Sequence, residues 1–323
     1  MKKVRSFFGI FVIVLFVFSV VIPSTVFAQA AGEGAAKTGA AAVFAAGLTT
    51  DAMAETKKAP RSMDPASLSV YVLKYAEFNR FPNYLAYWMG EPQYSNQPPL
   101  NYYMMYWLIK TKEHNILVDV GSGTDFATRY QKYQSPDAML AKVGLKPSDI
   151  DTIILTHPHF DHLDGMDFFK TAKVVIQRAA YRYAVEESPE FKYFRNSMYP
   201  RKKDTYTLVD LMWDNRLKLL DGNKELFPGI LLVRVDGHYP GLQMVVVETG
   251  GKPIVIAGDA VHVYDNLEKD RPMGLFQGEV RDVIKAYETI REFDGIVLPG
   301  HDNKVGERFK DKMIDQAVFK IYP

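Results

Sequence analysis

The 323-residue chain contains no cysteine. It therefore has no thiolate nucleophile, no disulfide, no sulfur ligand for a metal and no attachment point for a lipoprotein anchor, and an exported fold would have to hold without covalent staples. A G-x-S-x-G nucleophile elbow is missing as well: Gly121-Ser122-Gly123 has the wrong spacing, which argues against a serine triad. Charge of one sign is not in excess, with 39 Lys and Arg against 38 Asp and Glu, so no global field draws the chain to nucleic acid. The apolar run at residues 7–22 falls short of the roughly 20 residues that span a bilayer comfortably.

That run has a different reading in its context. Lys2, Lys3 and Arg5 precede it and Ala28-Gln29-Ala30 follows it, the basic, apolar, A-x-A order of a cleavable export signal, with Val26-Phe27-Ala28 as a second cleavage option. The expectation is a signal peptide at 1–30, a protein that is periplasmic or secreted, and no stable membrane anchor after cleavage. Losing the three basic residues changes the formal charge from +1 to +1 − 3 = −2. Residues 31–63 are rich in Ala, Gly, Thr and Lys and poor in large apolar side chains, which predicts a flexible leader. Residues 64–323 remain for one large domain, in keeping with 47% hydrophobic composition.

Histidine is sparse but concentrated. Of seven in the chain, three fall in Thr156-His-Pro-His-Phe-Asp-His-Leu-Asp-Gly165, where His157, His159, Asp161 and His162 occupy four of six successive positions. A lone histidine beside an apolar run is ordinarily a satisfied core or surface residue; this density is not. Neutral imidazole and carboxylate are the ligands that divalent zinc, iron, cobalt and manganese share. The β-branched run at 151–155 predicts a buried strand that aims the cluster from its end. Three further candidates follow apolar runs and are flanked by Gly or Pro: His238 in Gly237-His-Tyr-Pro, Asp259 in Gly258-Asp-Ala260 and His301 in Pro299-Gly-His301. Strands are predicted at 70–75, 102–109, 115–120, around 153, and at 174–177, 230–235, 243–248, 253–257 and 295–298. Helices are predicted at 136–143, 179–187 and 279–293, the last with Val280, Val283, Ile284, Tyr287 and Ile290 on its core face.

Over about residues 68–310 the chain resembles the metallo-β-lactamase superfamily, on Asp119 in Leu117-Val-Asp-Val-Gly121, the H-x-H-x-D-H cluster, Gly-His238, Gly-Asp259 and Pro-Gly-His301. The resemblance implies an α/β fold, an αββα sandwich of two mixed sheets flanked by helices. It implies two divalent metal ions, zinc first, with iron, cobalt or manganese as alternatives. One ion would be held by His157, His159 and His238, the other by Asp161, His162 and His301, with Asp259 shared and Asp119 orienting the ligands. Such a pair activates a bridging water at neutral pH, and Asp161 could pass the proton to the leaving group.

Superfamily membership does not name a substrate. The β-lactamase branches generally lack an aspartate at the Asp259 position, and one uses a cysteine ligand. Thioester hydrolases of the glyoxalase II type carry a longer C-terminal segment, and nucleases add domains and basic surfaces. The pattern is most similar to the N-acyl homoserine lactone lactonase branch, which quenches quorum signals, so a small-molecule lactone or other ester is the expected partner. A metallo-hydrolase of another ester or of a thioester, less readily a β-lactamase, and a non-catalytic exported metal-binding protein are the alternatives. The aromatic-rich segment 181–228 is expected to cap the cleft and line an acyl groove. Lactonases carry a tyrosine three residues after the shared aspartate; His262 stands there, with Tyr264 two positions on, and either is expected to donate a hydrogen bond to the developing oxyanion.

Overall fold

A computed structural model describes residues 65–81, 86–87, 99–186, 201–274 and 277–323. The predicted signal peptide and leader lie outside the described residues, as does the 187–200 part of the aromatic segment. Among the described residues no helix is long and apolar enough to cross a membrane.

In chain order the strands are β1 (Ser69–Phe81), β2 (Leu100–Lys110), β3 (Asn115–Val118), β4 (Thr152–Ile154), β5 (Lys173–Gln177), β6 (Leu217–Leu220), β7 (Lys224–Phe227), β8 (Ile230–Arg234), β9 (Gln243–Val247), β10 (Ile254–Gly258), β11 (Ile296–Pro299), β12 (Met313–Asp315) and β13 (Val318–Tyr322). The α-helices are α1 (Pro136–Ala141), α2 (Phe160–Leu163), α3 (Arg178–Val185), α4 (Lys202–Trp213), α5 (Tyr264–Glu268), α6 (Val280–Glu292) and α7 (Val305–Arg308). Eight strands form one sheet in the order β12-β13-β1-β2-β3-β4-β5-β6, and five form the other in the order β11-β10-β9-β8-β7. Both are mixed: β3, β4, β5 and β6 run parallel while β1, β2 and β13 pair antiparallel, and β11 is parallel to β10 in an otherwise antiparallel sheet.

Side-chain parity makes this a four-layer sandwich. Successive residues of a strand point to opposite faces. Trp107 and Ile109 of β2, Ile116 and Val118 of β3, Ile230 and Leu232 of β8 and Ile254 and Ile256 of β10 share one buried cluster, the core between the sheets. Their alternates Leu108, Leu117, Leu231 and Val255 belong to a second cluster together with Met139 and Leu140 of α1, Leu208 and Leu211 of α4, and Val283, Tyr287 and Ile290 of α6, so the outer faces are closed by helices. The αββα expectation holds. On α6 two predicted core positions are corrected: Val280 is only half-buried and Ile284 is 44% exposed, while Ala286 is buried, because the buried stripe runs through 283, 286, 287 and 290.

Candidate metal centre

The ligands stand where strands of both sheets end. β3 gives way to Asp119, whose φ of 62° is tolerated by an aspartate and turns the carboxylate under the motif. Asp119 is fully buried and accepts three bonds: Thr156 N–H to Oδ1 at 2.7 Å, Thr156 Oγ1–H to Oδ2 at 2.8 Å and His162 Nδ1–H to Oδ2 at 2.7 Å. With its proton given to Asp119, the Thr156 hydroxyl accepts from His157 Nδ1 at 3.0 Å. One carboxylate thus fixes the ring orientation of a histidine in each ligand group. His159 Nε2 donates to Gln277 Oε1 at 3.2 Å and His301 Nδ1 to the Tyr103 carbonyl at 3.1 Å. In four rings one nitrogen is tied outward and the other is left facing inward, the arrangement in which a metal-ligating histidine is normally held.

Those inward atoms converge as two groups. His157, His159, His238 and Asp259 form one, and Asp161, His162, Asp259 and His301 the other, with the ligand atoms of each group within 4.8 Å of one another. Asp259 Oδ2 lies 3.3 Å from His238 Nε2, 3.4 Å from His162 Nε2 and 3.9 Å from His157 Nε2, and Oδ1 lies 3.1 Å from His301 Nε2. Gly300 permits this approach, since a Cβ there would sit 2.2 Å from Asp259 Oδ1. Asp161 and His162 ride on α2, a single turn that begins straight after His159, rather than on a plain loop.

The charge pattern suits cations. Burial, reinforced by the neighbouring imidazoles of His162, His159 and His238, holds His157 far below the usual histidine range, and burial takes His159 down to about 3, so both rings are neutral and each keeps one bare nitrogen facing inward. Burial alone would raise Asp161 and Asp259, but His162 and His301 hold both carboxyls ionised and well below the usual range. His162 Nε2 and Asp259 Oδ1 are buried with no hydrogen-bond partner among the described residues. Buried polar atoms are rarely left so. Against burial, Asp259 and Asp161 raise His162 and His301, so an ion bound there displaces a proton from each ring; five imidazoles and two carboxylates then face one another and fit two divalent ions.

Above the ligands opens a cleft of about 270 Å³ walled by Phe78, Tyr102, Met104, Phe126, Tyr130 and Phe160. Tyr102 stacks on His301 with ring centroids 5.1 Å apart, and Phe126 on Phe160 at 4.5 Å. His262 lines the cleft, is 1% exposed, has Nε2 3.4 Å from Asp259 Oδ2, and among the described residues makes no hydrogen bond through either ring nitrogen.

Two expectations are corrected. Tyr264 does not reach the cleft: its backbone begins α5, its hydroxyl donates to the Val297 carbonyl at 3.2 Å, and its ring lies in the core between the sheets beneath the Arg308 guanidinium. The acyl wall is not built by the described part of segment 181–228, where Trp213 is 89% exposed on α4 and Met212 only packs partly on the outer core. Among the described residues it comes from β1, β2, the turn at 124–130 and α2. Gln277, Thr156 and the Tyr103 carbonyl went unrecognised in the sequence; only Thr156, beside the cluster, carried a local signal.

Fold and donors together define a metal-dependent hydrolase with a two-ion centre at the strand ends of an αββα sandwich. The metallo-beta-lactamase superfamily model matches residues 105–301, and the chain belongs to that superfamily. It is 28% identical over 222 residues to an N-acyl homoserine lactonase of Bacillus cereus, covering 63% of this chain and 82% of the relative. Among solved structures it is similar to an N-acyl homoserine lactone hydrolase with the product N-hexanoyl-L-homoserine at the catalytic metal center, with a TM-score of 0.61, 21% identity, and 75% and 96% of the two chains covered. It is also similar to AidC, a dizinc quorum-quenching lactonase, with a TM-score of 0.59, 20% identity, and 79% and 94% covered. At those identities the structural likeness is one of fold.

Proposed function

We propose that the protein opens the ester bond of N-acyl homoserine lactones. The observation that carries this reading is a complete seven-residue ligand set at the base of an aromatic, apolar cleft, which suits a small polar ring joined to an acyl chain. The lactonase relatives support it. When bound, two divalent ions supply a water activated at neutral pH and Lewis acidity toward a carbonyl.

The protein's own contributions follow from the geometry. The aromatic wall takes the acyl chain and excludes bulk water. His262, with both ring nitrogens free of other hydrogen bonds, donates an N–H to the lactone carbonyl oxygen as it gains charge. Water adds to that carbonyl, the ring C–O bond breaks, and the proton released by the water passes through an Asp161 Oδ atom to the departing alkoxide, giving N-acyl homoserine. Asp161 lines the cleft and so can meet the leaving group.

Purified protein loaded with zinc is to be tested on homoserine lactones of several chain lengths, a glutathione thioester, a chromogenic cephalosporin and a phosphodiester. Lactone turnover above all others is expected. His262→Phe, which keeps the ring volume, should lower lactone turnover about 10²–10³-fold with metal content unchanged. Turnover of the thioester alone overturns the lactone reading; an undiminished His262→Phe overturns the donor role.

A further inference from the structure

Phe126, in the cleft wall, carries two guanidiniums. Arg201 has its Cζ 4.6 Å from the ring centroid and Arg129 has its Cζ 4.9 Å from it. Their surroundings differ. Arg201 donates to Asp164 Oδ1 at 2.9 Å and to Asp204 Oδ2 at 2.8 Å, two buried carboxylates, and so ties the start of α4 to the segment just after His162. Arg129 is exposed and lines the cleft. Among the described residues its guanidinium makes no ion pair or hydrogen bond, and the nearby Asp125 faces Lys203 at 3.5 Å instead.

We propose that Arg129 is a specificity-determining residue that binds an acceptor oxygen, keto or carboxylate, carried on the acyl chain of the substrate; this rests on the lactone reading above. A chain lying on Phe78, Met104, Phe126 and Phe160 meets only apolar surface, which grips hydrocarbon but distinguishes little among chains. A guanidinium presents five N–H donors in one plane, and stacking on an aromatic face orients that plane before a ligand arrives, so less freedom is lost on binding. The mouth of the cleft therefore adds polar selectivity to an apolar groove. An exposed arginine already satisfied by a carboxylate could not do this; Arg129, which has no carboxylate partner among the described residues, can.

The test compares the zinc-loaded parent with Arg129→Met, which keeps an apolar stem over Phe126 and removes the donors. Three substrates are used: decanoyl-homoserine lactone, its β-keto counterpart, and a chain ending in a carboxylate. Arg129→Met should raise KM for an oxygen-bearing chain about tenfold relative to the plain chain, the size expected for one lost bond to a charged donor. A shift confined to the carboxylate chain identifies an anion, one confined to the keto chain a neutral acceptor, and either supports the assignment. An equal rise for all three shows a wall residue only, and no rise shows a solvated side chain; both overturn it. A second readout does not depend on turnover. Anilinonaphthalene sulfonate and its uncharged parent phenylnaphthylamine differ by one anionic group, and Arg129→Met should weaken the sulfonate about tenfold relative to the neutral dye in fluorescence titration. Equal weakening or none overturns the assignment. If the parent opens no lactone, the proposed function falls while the dye pair still decides Arg129.

Discussion

Replacing Asp119 by Asn changes one acceptor into a donor and leaves shape and backbone alone, because asparagine accepts a φ of 62° as readily as aspartate. With the amide oxygen kept on Thr156 N–H, the new NH₂ group faces the Thr156 hydroxyl and His162 Nδ1, both of which donate in the parent. His162 relieves the clash only by moving its proton to Nε2, the nitrogen 3.4 Å from Asp259 and 3.5 Å from Asp161, and a protonated nitrogen there is no longer a ligand. A hydrogen bond to a charged group contributes about 1.5–3 kcal/mol, which corresponds to roughly 10- to 100-fold in affinity. Losses of this size, about 10- to 100-fold, are typical when a residue supporting a metal ligand is changed. The group containing His162 should weaken first, and the other group follows through Thr156. Folding without metal should change little, because burial pushes the Asp119 carboxyl up and removing the charge recovers desolvation that offsets the lost bonds. The assay is a zinc titration against a chromophoric chelator, with melting temperatures of metal-free and loaded protein. Parent-like zinc affinity in both groups would refute the argument, as would a large fall in the metal-free melting temperature.

Three more outcomes are expected. Gly300→Ala puts a Cβ 2.2 Å from Asp259 Oδ1, so the shared carboxylate must move and elemental analysis should find fewer than two metal ions in protein that is folded by circular dichroism. Tyr264→Phe loses only the bond to the Val297 carbonyl, so the melting temperature should fall by a few degrees, about 1 kcal/mol, with metal content and lactone turnover unchanged. Export, proposed from the basic, apolar and A-x-A order, predicts a mature chain starting near Gln29 or Ala31; a full-length intact mass in the membrane fraction would argue for an anchor.

What was legible in the sequence was local. β-branched runs announced β4, β8, β9 and β10, and the ligand cluster announced itself by density, since three imidazoles and a carboxylate within six residues leave few other readings. What was not legible depended on pairing between distant segments. Tyr264 follows the motif closely enough to suggest a role, but at the start of α5 its ring enters the core between the sheets, and only the position of Val297 on β11 shows where its hydroxyl goes. Gln277 lies 118 residues from the ring it orients, and no local pattern points to it. The aromatic segment before His238 looked like a cleft wall by composition, yet among the described residues Phe126 and Phe160 supply that wall and the described part of the segment does not.

The place of β13 has a consequence for how the molecule is made. It lies between β12 and β1, not at the edge, pairing Val72 with Phe319 and Leu73 with Val318, and it delivers Phe319 and Ile321 into the core between the sheets. The last described strand thus completes the surroundings of the first. Closing so long a loop costs little extra free energy, because the entropy grows only with the logarithm of its length, but such distant pairings are slow to form. Until β13 docks, β1 presents an unpaired edge beside uncovered apolar side chains, a template onto which another unfinished copy can add a strand. Losses of this protein should therefore fall in the interval before its C-terminal strand arrives, and raising protein concentration during refolding should lower the yield far more than it disturbs the finished fold.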